Sequence, residues 1–257
     1  RLAALGTMSA GLAHEIRNPL AGIKGAAQYL QTLEVTDEEY EFLEVIATET
    51  DRLNTVVSTF LDYARQFDLD RYPTNLTSLV RQIMSLVKAE GLPDGIQVIE
   101  RLDPELPLID ADGDQLRQVV LNLVRNAIQA LPNGGHLMIS TREGVMRSRI
   151  GPGSRALEIR VADDGEGIAT ADLAKLFIPF YTTKPQGTGL GLPICQRIVK
   201  AHHGELAVES RPGAGAEFIV RLPLPPLPPA VTEESASADL EPPADARGQR
   251  PEQTRES

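Results

Sequence analysis

The chain has 257 residues, 42% apolar and 24% charged, with a net charge of −11. This is the make-up of a soluble globular protein long enough for two modest domains, and its acidity argues against non-specific nucleic-acid binding. One cysteine, Cys195, excludes an internal disulfide and points to a reducing compartment. No run of 18 apolar residues spans a membrane, and no signal peptide is present. The chain opens at Arg1 already in helical phase and without a methionine. It is therefore expected to be a cytoplasmic fragment whose N-terminal part is missing, so that any membrane anchor of the full-length protein would lie there.

Residues 1–31 carry a helical apolar stripe of Leu5, Leu12, Ile16, Leu20, Ile23, Ala27 and Leu30. At 100° per residue His14 lies about 160° from the centre of that stripe, so it is displayed to solvent. Glu15 follows it directly, and Asn18 sits one turn on. Pro19 removes a helical hydrogen bond and predicts a kink there. Residues 32–37 form a turn in which Thr36 or Asp37 caps a second helix, 38–66. That helix has its own stripe of Phe42, Ile46, Leu53, Val56, Phe60 and Tyr63. An antiparallel hairpin of this kind leaves apolar surface wet, so a homodimeric four-helix bundle is expected. A hairpin packed on its own second domain is the alternative.

After a connector at 68–75, residues 76–90 and 114–131 read as amphipathic helices, and 96–102 and 108–111 as strands. Strands 136–144 and 156–162 flank a tip at 146–154, and Arg142, Arg147, Arg149 and Arg155 read as part of a solvated loop there. An irregular glycine-rich stretch, 163–188, carries only a short helix near 170–176. Helix 190–203 ends at Gly204, read as its C-terminal cap. Strands 205–210 and 216–222 complete an α+β domain. The remaining 35 residues, from Pro223, are proline-rich and acidic and are expected to be disordered.

Three patterns in this second domain carry chemistry. On helix 114–131, Leu116, Val120, Leu123, Ala127 and Leu131 form the core side. Gln115, Gln118, Asn122, Asn126 and Gln129 line the other. Carboxamides offer neutral oxygens to a hard cation and donors to phosphate, and a plain solvated face has the same pattern. Asp163-Asp164-Gly165-Glu166-Gly167 ends a strand; a carboxylate there accepts from an exocyclic amine, and the glycines admit a flat base. Gly187-Thr188-Gly189-Leu190-Gly191-Leu192 runs into a helix, where glycine-rich amides cradle phosphate, without the Lys-Ser/Thr of a Walker loop. The preceding stretch, with Phe180, Tyr181, Thr182, Thr183 and Lys184, is long enough to be a lid, and Lys184 is the nearest cation for a γ-phosphate. Cys195 reads as core, and His202 and His203 as serving the helix end.

In this order, downstream of His14-Glu15-Ile16-Arg17-Asn18-Pro19, these motifs resemble those of the sensor histidine kinases of two-component signalling. The resemblance covers residues 1–222. The string from His14 to Gln28 is most similar to that of the nitrogen-regulation kinases, which signal to enhancer-binding transcription activators. It implies a multidomain protein: an all-α helical hairpin for dimerisation and phosphotransfer (1–67), a linker (68–75), an α+β sandwich of the gyrase, Hsp90, histidine kinase and MutL type (76–222), and the tail (223–257). It implies His14 as phosphoacceptor, Glu15 as its base, and Asn18 as the residue that orients water for dephosphorylating a response regulator receiver domain. ATP and Mg²⁺ are the implied cofactors. Asn126 would hold the metal with Asn122 at the phosphates, and Asp163, Gly165 and Gly167 would form the adenine pocket. Thr183, Lys184, Gly187, Thr188, Gly189, Leu190 and Gly191 would enclose the phosphates.

Two residues depart from the family pattern. Asp164 stands where Asn is common and either adds negative charge near the nucleotide or simply points to water. Gln129 stands where many relatives carry a base, which shifts that burden to Lys184 or leaves it to solvent. Competing readings are a nucleotide-binding pseudokinase or phosphatase-dominant scaffold, and an ATP-driven clamp. The clamp would require a catalytic glutamate where Asn122 stands, and the scaffold sits poorly with a complete motif set.

Overall fold

The computed structural model describes residues 2–64, 69–146, 153–184 and 187–224, with side chains of the N-terminal hairpin described from Ile16 to Leu61. The side chains of His14 and Glu15, the tip bearing Arg147 and Arg149, and the tail from residue 225 lie outside the described residues.

Helix α1 (Leu2–Gln31) is continuous through Pro19, and α2 (Asp37–Ala64) returns antiparallel to it. The turn is closed by a capping box: the Thr36 hydroxyl accepts from the Glu39 N–H at 3.3 Å, and the Glu39 carboxylate accepts from the Thr36 N–H at 2.8 Å. Two side-chain pairs set the register, Lys24 with Asp51 at 2.7 Å and Arg17 with Ser58 at 3.0 Å. The seam buries Leu20, Ala27 and Thr50, whereas Ile23, Phe42, Val45, Ile46 and Leu53 stay exposed. One chain alone therefore leaves the apolar face of the hairpin uncovered.

The rest is a two-layer sandwich. In chain order it comprises β1 (Tyr72–Thr74), α3 (Leu76–Glu90), β2 (Ile96–Leu102), β3 (Ile109–Ala111), α4 (Gly113–Gln129), β4 (Gly135–Met146), β5 (Ser154–Asp163), α5 (Thr170–Leu173), α6 (Gly191–Ala201), β6 (Glu205–Ser210) and β7 (Ala216–Pro223). The main sheet has the order β2-β4-β5-β7-β6, with β2 parallel to β4 and the other pairs antiparallel. Alternate residues of β5 and β7, namely Leu157, Ile159, Val161, Phe218, Val220 and Leu222, face the buried sides of α3, α4 and α6. The core therefore lies between the sheet and one layer of helices. No helix among the described residues is long and apolar enough to cross a membrane.

The fold differs from the sequence expectation in three places. First, the connector 68–75 contains β1, which pairs antiparallel with β3. Second, β4 and β5 run further than expected, so Arg142 and Arg155 belong to strands. Arg155 bonds Glu143 at 3.0 Å, and Arg142 joins Arg160 and Arg221 around the buried Glu158 at 2.8 to 2.9 Å. Third, α6 ends in a Schellman motif whose left-handed residue is His203 (φ 59°), with the Gly204 N–H on the Val199 carbonyl at 2.8 Å. Gly204 is required because a Cβ there would strike the Arg221 carbonyl.

His202 joins this helix end to the start of α4. Its Nε2 accepts from the Asp112 N–H at 3.0 Å, and its Nδ1 lies 2.8 Å from the Ile198 carbonyl, which places the proton of a neutral ring on Nδ1. Asp112 in turn caps α4 by accepting from Asp114 and Gln115 N–H at 3.1 and 3.0 Å.

Candidate functional site

One cleft of about 660 Å³ gathers most of the predicted site residues. Its floor is α4, which contributes Gln118, Asn122, Asn126 and Gln129. These recur every three or four residues opposite the buried Leu116, Val120, Leu123 and Ala127, so one face anchors the helix while the other presents carboxamides. Gln115 does not reach the cleft; its Oε1 is buried without a hydrogen-bond partner.

One end of the cleft is formed where β5 stops. Asp163 is the last residue of the strand, and burial pushes its carboxyl above the ordinary range. Its Oδ1 accepts from the Gly165 N–H at 3.0 Å. Gly165 lies behind the lining, where a Cβ would strike the carbonyl of Ala130 at the end of α4, so this turn approaches the helix closely only because it has no side chain. Gly167 lines the cleft beside it.

The other end is the start of α6. Gly187, Thr188, Gly189 and Gly191 line the cleft, and Leu190 is fully buried beneath them as an anchor. Gly189 has φ 66° and Phe180 also has φ 66°, and the Phe180 N–H donates to the Gly189 carbonyl at 3.0 Å, which ties the lid to the loop. Thr183 and Lys184 line the cleft from the lid. The Lys184 Nζ donates to Gln129 Oε1 at 2.8 Å, so the lysine expected to take on phosphate neutralisation touches the glutamine that stands in place of a base. Burial pulls the Lys184 ammonium below its ordinary range, partly offset by the Asp163 and Glu166 carboxylates.

Asp164 turns away from the cleft and accepts from the His136 backbone N–H at 2.6 Å and lies 2.7 Å from its Nδ1. Asn18 is exposed on α1, outside the cleft lining. Sequence reasoning missed Thr55 and Thr59 of α2, which line the same cleft, and the contact of Phe60 with Phe180, ring centroids 6.2 Å apart. Their spacing on α2 carried no sign of a ligand. Cys195 is fully buried, and burial pushes its thiol up to about 12, so it is inert packing.

Residues 111–226 match the model of histidine kinase-, DNA gyrase B- and HSP90-like ATPases, and residues 4–66 match the His Kinase A phospho-acceptor domain. This defines the class: a phosphoacceptor hairpin set before an ATP-binding sandwich. The signal transduction histidine-protein kinase AtoS of Escherichia coli K12 is 39% identical over 226 residues, 88% of this chain and 36% of AtoS. Full-length ShkA in complex with AMPPNP superposes with a TM-score of 0.68 at 30% identity, over 84% of this chain and 45% of that one. Histidine kinase ThkA, in complex with the response regulator protein TrrA, superposes with a TM-score of 0.61 at 31% identity, over 87% of this chain and 63% of that one. The chain belongs to the sensor histidine kinases and corresponds to their catalytic core. It spans 36% to 50% of the length of curated relatives such as AtoS and sporulation kinase C of Bacillus subtilis.

Proposed function

We propose that the chain autophosphorylates His14 from ATP and passes the phosphoryl group to an aspartate of a response regulator receiver domain. The observation that carries this reading is the single cleft joining Asn122, Asn126, Asp163, Lys184 and the Gly187–Gly191 loop. In this reading Asp163 accepts from the adenine amine and the loop amides hold phosphate. Lys184 neutralises charge as the bond to the transferred phosphoryl group breaks, because such transfer is mainly positioning and electrostatics. Glu15 takes the proton from the His14 ring as an imidazole nitrogen attacks phosphorus and ADP leaves.

Asn126 and Asn122 present carboxamides in the cleft, and no group of three His, Cys, Asp or Glu that could hold a metal stands among the described residues. That donor set fits Mg²⁺ arriving with the triphosphate, since this ion is usually held by one or two protein oxygens, substrate phosphates and water. When bound, it would neutralise charge on the leaving phosphates.

The functional division into 1–67, 68–75, 76–222 and 223–257 is part of the proposal. So is a homodimer, supported by the exposed apolar residues of α1 and α2. Cytoplasmic placement of this core belongs with it. Asn18, one turn beyond His14, supports phosphatase activity towards the same regulator. The nitrogen-regulation kinases that the hairpin resembles typically signal to enhancer-binding transcription activators.

Incubation with γ-labelled ATP and Mg²⁺ tests the assignment. Wild type should acquire acid-labile, base-stable label, and His14→Ala should acquire none. Label persisting in His14→Ala overturns His14 as the acceptor. Nucleotide binding without label in wild type supports the scaffold reading instead.

A further inference from the structure

Asp164 departs from the family pattern, and the structure gives it a specific partner. The backbone ladder between β4 and β5 ends at the pair Leu137 and Asp163. One residue further, the backbone of β5 turns away, and the Asp164 carboxylate takes over from it. Oδ1 accepts from the His136 N–H at 2.6 Å, and Oδ2 lies 2.7 Å from His136 Nδ1. A side chain thus continues the sheet by one rung where the main chain cannot. This lets the strand stop at Asp163 and send that carboxylate into the cleft.

The surroundings are fitted to this contact. Gly135 has φ 141°, and a Cβ there would strike Asp164 Oδ1 and Leu131. Besides the Gly165 N–H to Asp163 Oδ1 bond within it, the turn is tied to the β6–β7 hairpin: Gly215 N–H to the Gly165 carbonyl at 3.0 Å, Gly213 N–H to the Glu166 carbonyl at 2.7 Å, and Ile168 N–H to Ser210 Oγ at 2.9 Å. Asp164 is the tie to β4 beyond the ladder. Both side chains of the pair are about half exposed, 52% for His136 and 51% for Asp164. A side-chain contact that open contributes little to stability, so its geometry matters more than its energy. The His136 bonds hold the Asp164 carboxyl below its usual range, so it stays an acceptor at neutral pH.

We propose that Asp164, anchored on His136, is a positioning residue that holds the Asp163 turn at the base end of the nucleotide site. This rests on the reading of the cleft as an ATP site. Asp164 touches no nucleotide in this assignment; it acts through Asp163.

The test compares nucleotide affinity, autophosphorylation rate and thermal stability in the whole chain. Asp164→Ala should raise the Kd of both ATP and ADP about tenfold, as expected for losing one charge-assisted hydrogen bond. The rate at saturating ATP should stay near wild type. Asp164→Asn keeps an oxygen for the His136 N–H and should bring Kd back to within about twofold. His136→Ala keeps the backbone donor and should shift Kd less than Asp164→Ala does. An unchanged Kd with a lowered melting temperature in Asp164→Ala overturns the proposal, because the role is then structural. Failure of Asp164→Asn to restore affinity also overturns it. Wild type that binds no ATP defeats the reading of the cleft itself, a different outcome from either.

Discussion

Strand β5 carries two carboxylates five residues apart, on opposite faces of the sheet, and their surroundings treat them in opposite ways. Burial works against the charge of Glu158, but the guanidiniums of Arg221, Arg160 and Arg142 overcome it and hold its carboxyl down at about 2. Its side chain is 4% exposed, and all three bonds are 2.8 to 2.9 Å long. Asp163 is also partly buried, but there burial wins and the carboxyl rises. The outer face sets three guanidiniums around its acid, whereas in the cleft the acid has only backbone N–H donors, of Gly165 and Ala216, which do not offset its burial. A carboxylate whose charge burial disfavours gains from a ligand that donates to it, so the contrast separates a stabilising cluster from the proposed binding site.

The sharpest way to break this comparison is to remove each acid. Glu158→Ala should cost about 3 kcal/mol of unfolding free energy in denaturant titrations, because three guanidiniums lose their acceptor. Asp163→Asn should leave stability near wild type and weaken ATP binding by about 2 kcal/mol, read by calorimetry. If Asp163→Asn unfolds the protein while Glu158→Ala only weakens binding, the assignment of the two faces is wrong.

Acid should next separate the two groups without mutation. The folded pKa of Glu158 lies below its unfolded value, so its contribution is complete above about 4.3 and is lost as pH falls towards about 2. Asp163 is shifted upwards, so its ionised form costs stability that protonation returns. Stability measured from pH 6 to 2 should therefore fall steeply in wild type and more gently in Glu158→Gln. Equal slopes would remove Glu158 as the cause.

A smaller effect belongs to His202. Burial lowers its pKa, opposed by the Ile198 carbonyl, so the folded state favours the neutral ring. Stability should be complete above about 6.5 and decline as pH falls through that range. His202→Gln should flatten this slope between pH 7 and 5; an unaltered slope would exclude His202 as its source. Smallest of all, Lys184→Gln should leave stability unchanged and raise the Kd for ATP more than that for ADP, about threefold at this partly exposed site.

Most of the architecture was legible because periodicity and capping chemistry coincide. The stripe on α4 locates both its core side and its carboxamide side, and the Thr36–Glu39 box marks the start of α2. What stayed hidden depends on contacts between distant residues or on segments too short to be periodic. The strand β1 has three residues, one of them proline, and exists only through pairing with β3. Arg142 and Arg155 look like loop charges until the register sets Arg142 opposite Glu158. Asp164 and His136 lie 28 residues apart in different motifs, so their bond follows from the ladder alone. Gln115 fits the carboxamide spacing but sits at the capped first turn of α4, where the helix has not yet reached the cleft.

Thr55 and Thr59 lend the proposed nucleotide cleft a wall from the hairpin, and Phe60 meets the lid residue Phe180. In the proposed reading, occupancy of the cleft and seating of α2 are linked quantities. Whatever factor α2 adds to nucleotide affinity, bound nucleotide must return to the closure of α2 on the sandwich, since coupling free energy is reciprocal. A shift of the hairpin would then also be a change in nucleotide affinity.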